Sequence, residues 1–188
     1  MTEQTTPREV EQLDAKRAMI PQSTDRGRWL AYVAAGWAFI FAAMSCYWAL
    51  AVMLGADQFP GVLAAARSTG RVFEEQARAR DPQLIALLWV TGALKVVAGL
   101  IALAVVRAWD RRIPRGLRLV AAWLVGGFVT LYAVANLIDH ALMAAGVRHT
   151  PEGLGSTALR WHLVFWDPWW LLGGLLFLGA AWNARRTV

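Results

Sequence analysis

The run WLAYVAAGWAFIFAAMSCYWALAVML, residues 29–54, carries no formal charge over its whole length. At a rise of about 1.5 Å per residue, a helix of that length crosses a hydrocarbon core about 30 Å thick. Three further stretches have the same character. LIALLWVTGALKVVAGLIALAVV, residues 84–106, is interrupted only by Lys95. Residues 117–143 carry Arg118 near one end and Asn136, Asp139 and His140 near the other, and residues 161–182 contain His162 and Asp167. Buried helices of water-soluble proteins are rarely so long and so uncharged. The expectation is an all-α integral membrane four-helix bundle.

Composition agrees. The 188 residues are 57% hydrophobic and 17% charged, with 11 Trp and one Cys, whereas a soluble domain is roughly 45–50% apolar and about 25% charged. A lone Cys excludes an internal disulfide framework, a CxxC redox centre and a multi-thiolate zinc site. Residues 1–27 are polar and read as a disordered cytoplasmic tail ahead of a membrane domain over 28–186. The first span is too long for the h-region of a cleavable signal peptide. The small-x-small pattern Ala49-Leu50-Ala51 and the pair Ser45-Cys46 both sit inside a continuing apolar run, so neither cleavage nor lipidation is expected.

The net charge of +6 is topological. Arg8, Lys16, Arg17, Arg26 and Arg28 precede the first span, Arg107, Arg111, Arg112, Arg115 and Arg118 join the second and third, and Arg185 and Arg186 follow the fourth. These twelve face six on the other side: Arg67, Arg71, Arg78, Arg80, Arg148 and Arg160. The positive-inside rule then puts both termini in the cytoplasm. Nucleic acid is not an expected partner; the lipid bilayer is. A homo-oligomer or a membrane-protein partner stays open.

Local signals mark the boundaries. In Asp81-Pro82 the carboxylate suits a helix N-cap and the proline the first helical position. Gly55 and Gly146 close the first and third spans, and Trp29, Trp109, Trp161 and Trp182 fall where an amphipathic indole favours the interface. Between them Val62, Ala65, Ala66, Thr69, Val72, Phe73 and Gln76 predict an outer loop helix over about 61–79. Its alanine-rich face suits packing on the bundle better than lying on the membrane surface. The recurrence of Asp-Pro at Asp167-Pro168 hints at two related hairpins, but chance accounts for so few matched residues.

Polar residues inside hydrocarbon are costly and each needs a reason. Lys95 lies near the middle of its span, which suits either an ammonium tuned for proton or anion handling or a structural clamp through one ion pair. Asn136, Asp139 and His140, with Tyr132, share a helix face. They suit a hydrogen-bonded cluster; a zinc reading needs His162 or Asp167 as further ligands. Pro168 predicts a kink or break of the fourth helix at Asp167-Pro168. At similar depth Asp167 is expected to meet Asn136, Asp139 and Tyr47, with Lys95 reaching towards it. His162, five residues before Asp167, lies about 140° away round a straight helix, which argues against a couple between them. Trp48, Trp166, Trp169 and Trp170 suit either an aromatic-lined pocket or interface belts. The candidate ligand or polar cluster is therefore Tyr47, Trp48, Lys95, Asn136, Asp139, His140 and Asp167, with no catalytic residue, metal or cofactor assigned.

Several segments together resemble a known family. Tyr47-Trp48-Ala49-Leu50, Asp81-Pro82, Lys95, Trp109-Asp110-Arg111-Arg112-Ile113-Pro114-Arg115 and Trp166-Asp167-Pro168-Trp169-Trp170-Leu171-Leu172-Gly173-Gly174 resemble small bacterial four-span membrane proteins classed as a domain of unknown function. The likeness covers roughly residues 28–186 and rests mainly on the last two segments. It implies a multi-pass protein of the bacterial inner membrane and no activity. The functional expectation is a non-enzymatic accessory or small-ligand-binding bundle. The alternatives are an oligomeric proton-coupled carrier using Lys95 and Asp167, and a lipid-modifying membrane enzyme using Asp139 and His140.

Overall fold

The computed structural model describes residues 23–59, 61–107 and 113–186. The polar tail ahead of Ser23, Pro60 and the basic stretch Trp109-Asp110-Arg111-Arg112 lie outside the described residues. Among those described there is no strand. Seven α-helices follow in order: α1 (Ser23–Leu54), α2 (Val62–Thr69), α3 (Arg71–Arg78), α4 (Pro82–Val106), α5 (Arg115–Ala144), α6 (Gly155–Trp161) and α7 (Asp167–Arg186). A π-helical turn, His162–Trp166, joins α6 to α7 into one continuous rod. Four helical stretches are long and apolar enough to cross a membrane: Arg28–Leu54, Pro82–Val106, Arg115–Ala144 and Gly155–Arg186.

The helix ends follow the sequence signals. Asp81 accepts a hydrogen bond from the Gln83 N–H, with Pro82 in the first turn of α4. Gly55 (φ 116°) stops α1 and Gly146 (φ 72°) stops α5, both in conformations that burden a residue with a Cβ. At the other end of α4, the Arg118 guanidinium donates to the carbonyls of Ala104 (2.7 Å) and Arg107 (3.1 Å), satisfying acceptors that the helix leaves open. One boundary departs from expectation. The loop helix is split in two at Gly70, because its φ of 152° cannot continue an α-helix.

Both halves pack on the bundle. Val62 and Ala66 of α2 join Val52, Leu84 and Leu88 in a core cluster at this end of the molecule. The Arg71 N–H donates to the Gly153 carbonyl at 2.7 Å, tying the segment that follows α1 to the segment that follows α5. Across Gly70, Glu74 accepts from Arg67 (2.8 and 2.9 Å) and Arg78 (2.9 Å).

The long helices form two close pairs, α1 with α4 and α5 with α7. The pairs meet chiefly where α1 lies on α7, and α4 touches α5 only sparingly. In lipid no hydrophobic force drives helix against helix, so close approach depends on small residues. A Cβ built on Gly174 would fall 2.6 Å from the Thr130 backbone N, and one on Gly126 would fall 2.9 Å from the Leu178 N. The second core cluster is aromatic, with Trp37, Phe41, Trp166 and Phe177 at its centre.

Two outcomes are expected. Gly174→Ala pushes backbone from backbone and costs about 1–3 kcal/mol, whereas Gly127→Ala, with nothing within 4 Å of the new Cβ, is tolerated; thermal unfolding in detergent measures both. The guanidiniums of Arg67 and Arg78 hold the Glu74 carboxyl down to about 2. A depressed folded-state pKa stabilises fully above the ordinary glutamate range, and that support fades as pH falls from about 4.5 towards 2. The protection of the Gly70 and Arg71 amides from hydrogen exchange, taken relative to their intrinsic rates at each pH, should fall across that window in the wild type and lose the dependence in Glu74→Gln.

Candidate functional site

Pro168 decides the local geometry of the fourth span. It has no N–H to donate, and in an α-helix its ring would clash with the carbonyl of Val164. The chain answers with the π turn, in which the Asp167 N–H donates to the His162 carbonyl. The departure from α-geometry expected at Asp167-Pro168 is thus a widened turn just before the proline. An i→i+5 bond stacks residues five apart, as an i→i+4 bond stacks residues four apart. His162 and Asp167, which a straight helix would turn away from each other, therefore share a face. This corrects the 140° argument: His162 Nδ1 lies 3.5 Å from Asp167 Oδ1.

His140 completes the group from α5. Its Nδ1 lies 2.6 Å from Asp167 Oδ2, with both side chains buried. The two imidazoles lie face to face, centroids 4.4 Å apart and planes 33° apart. His162 Nε2 faces the Thr69 carbonyl at 3.2 Å. A carbonyl only accepts, so Nε2 carries the proton and Nδ1 is turned towards Asp167. The Trp166 indole N–H donates to Ser68 Oγ (3.3 Å), and Trp48 makes edge contacts with Trp166 and Phe73. The cluster thus sits under the loop helices α2 and α3, near the last turns of α5.

The other expected members of this cluster are elsewhere. Asp139 and His140 are neighbours but point apart: Asp139 pairs with Arg148 of the following loop. Asn136 donates to the Tyr132 carbonyl of its own helix (2.7 Å). Tyr47 is exposed and makes an edge contact with Phe59. The meeting of Asp167 with Asn136, Asp139 and Tyr47 does not form, because a helix face is only as wide as its turn allows and Asp167 is taken by two histidines. The pairing of Lys95 with Asp167 is overturned as well.

Lys95 has its own surroundings. Its Nζ donates to Ser45 Oγ at 2.7 Å and lies over the rings of Phe41 (4.1 Å to the centroid) and Trp170 (5.4 Å). Among the described residues no carboxylate reaches it within ion-pair distance. Beside it lies a cavity of about 360 Å³, walled by Trp37, Lys95, Trp170 and Phe177 and rimmed by Leu94 and Phe128. Leu94 and Phe128 are 62% and 72% exposed, so the cavity opens sideways between α4 and α5 onto an apolar surface. The Trp37 indole N–H is buried and has no acceptor. Of the four tryptophans of uncertain role, Trp166, Trp169 and Trp170 pack into the interior aromatic cluster and do not form a belt.

Two polar centres therefore replace the one expected. Sequence reasoning missed Ser45 and Phe41 as participants; it named His162 as a possible further metal ligand and Trp170 as a possible pocket wall, but argued against His162 meeting Asp167. The signal for His162 was Pro168, whose steric demand widens the turn that precedes it.

The buried and exposed acids separate by experiment. Asp139→Asn loses an exposed ion pair and costs at most about 1 kcal/mol. Asp167→Asn disturbs a buried pair that leaves its histidines poorly matched, and costs about 3 kcal/mol by denaturant unfolding.

No curated protein and no solved structure matches the chain. Residues 38–177, which take in the His–Asp cluster, Lys95 and the cavity wall apart from Trp37, match the family described as Protein of unknown function (DUF3995), and the chain belongs to that family.

Proposed function

We propose that the protein is a ligand-binding bundle of the bacterial inner membrane, with both termini in the cytoplasm, and not an enzyme. The observation that carries the reading is the cavity beside Lys95. A pocket of about 360 Å³ lies at the small end of the range for ligand sites. Its open surface is almost wholly apolar; behind it lie the Lys95 ammonium, which keeps N–H donors beyond the one given to Ser45, the unpartnered Trp37 indole N–H, and the Thr91 hydroxyl, which is given to the Leu88 carbonyl. The ligand is accordingly a lipid-soluble molecule carrying an oxygen acceptor, a carbonyl or a carboxylate, and it enters from the bilayer between α4 and α5.

Charge supports the orientation. Twelve Lys and Arg flank the membrane on one side and six on the other. Arg185 and Arg186 lie over the Trp182 ring at 4.4 and 4.8 Å, as suits residues at a headgroup boundary. The carrier alternative has lost its Lys95–Asp167 pair as a proton route, and no observation favours it over ligand binding.

Purification in native lipid, followed by mass spectrometry of small molecules, tests the reading. A lipid-soluble carbonyl or carboxylate compound is expected in near-stoichiometric amount with the wild type. Lys95→Leu should deplete it at least about tenfold and Ser45→Ala should weaken it less, since a hydrogen bond to a charged group is worth about 1.5–3 kcal/mol. Equal recovery from wild type and Lys95→Leu, or nothing above the bulk lipid, refutes it.

A further inference from the structure

We propose that His140, His162 and Asp167 form a binding site for a divalent first-row transition ion, with Zn²⁺ the best fit. The three side chains come from two different membrane spans, and one ligand atom from each lies within 4.8 Å of the other two. Two imidazole nitrogens and one carboxylate oxygen, with a further position open, are the donor set and count of a three-ligand zinc centre. The same set excludes a soft thiolate site and is too rich in nitrogen for calcium or magnesium.

The distances are close to what an ion requires. Ligands about 2.0–2.1 Å from a tetrahedral ion lie about 3.3–3.5 Å from one another. His162 Nδ1 and Asp167 Oδ1 are already 3.5 Å apart. His140 Nδ1 and Asp167 Oδ2, at 2.6 Å, are drawn together by a proton, and an ion in that proton's place moves them apart by less than about 1 Å.

A second observation points the same way. With Nε2 committed to the Thr69 carbonyl, His162 turns its Nδ1 towards a carboxylate, yet that nitrogen is buried and makes no hydrogen bond. The 3.5 Å approach brings two acceptor lone pairs towards one another. Such an arrangement is unfavourable when empty and favourable around a cation. The Thr69 carbonyl supplies what a metal-ligating histidine ordinarily has, an acceptor for its other ring N–H that fixes tautomer and orientation. His162 is the least buried of the three side chains, 19% exposed against 10% and 4%, which leaves an entry path from the loop side. The π turn explains why the group exists at all: it supplies two of the three ligands from one segment.

The ion would cross-link α5 to the fourth span beneath the outer loops, its open position held by water. This site is separate from the Lys95 cavity, so the two readings stand or fall independently.

The test uses the full-length protein in detergent, stripped with chelator and re-equilibrated with ZnCl₂ or CoCl₂. Wild type should bind one Zn²⁺ per chain with a Kd of about 1 μM or tighter, by competition with a chelating dye. Co²⁺ should give the visible absorption of a four- or five-coordinate nitrogen–oxygen site. His162→Gln should weaken Zn²⁺ at least as much as the roughly 10–100-fold typical of losing a mere supporting partner. His149→Ala, an exposed histidine outside the cluster, should bind as wild type does. Zn²⁺ should raise the wild-type Tm and leave that of His162→Gln unmoved. Absence of stoichiometric Zn²⁺ from folded wild type overturns the proposal, and so does full retention in folded His162→Gln. If His162→Gln fails to fold, Asp167→Asn serves in its place, and the wild-type stoichiometry alone still decides.

Discussion

Pro168 lacks a backbone N–H inside a helix that must otherwise satisfy its own polar groups, and the His–Asp cluster beneath α2 and α3 is arranged around that deficit. In water a free carbonyl finds a solvent donor; beside hydrocarbon the chain has to rearrange its own bonds. The fourth span does so by widening one turn and resuming α-geometry at Asp167. The widened turn brings His162 under the Thr69 carbonyl and beside Asp167, which in turn faces His140. A single imino acid thereby joins three helical segments through one carboxylate.

The middle of the molecule solves a different problem. A lysine deep in a span is disfavoured by about 2.5–3.5 kcal/mol on insertion scales. A hydroxyl and two ring faces offset that cost without supplying an opposite charge, so Lys95 stands next to an apolar hollow with no carboxylate partner among the described residues. The arrangement differs from a buried ion pair, in which each charge consumes the other. Here the lysine is held by neutral groups alone.

Much of the fold was legible in the chain. The uncharged run ending at Leu54, the Asp81-Pro82 cap and the stop at Gly146 each appear where the residues placed them, because backbone satisfaction in lipid leaves helices as the only option. Asp167 and Lys95 were legible as residues that needed partners. Their partners were not, for two physical reasons. Side-chain direction was reckoned on a straight 3.6-residue helix, and the π turn rotates everything upstream of Pro168. Adjacent residues such as Asp139 and His140 point about 100° apart, so a shared stretch of sequence does not mean a shared destination. Ser45 and Phe41 carry no signal of their own; only the packing of α1 on α4 discloses them.

The unequal contacts among the long helices have a structural consequence. With α1 packed closely on α4 and α5 on α7, the bundle is two pairs joined along one seam and only lightly in contact along the other. The joined seam is where Trp37 lies against Gly173, so closely that a Cβ on that glycine would come within 2.3 Å of the indole ring. The same indole forms part of the wall of the cavity that opens between α4 and α5. One side chain thus belongs both to the seam that joins the two pairs and to the wall of the hollow, so the packing of the pairs and the shape of the hollow are fixed together.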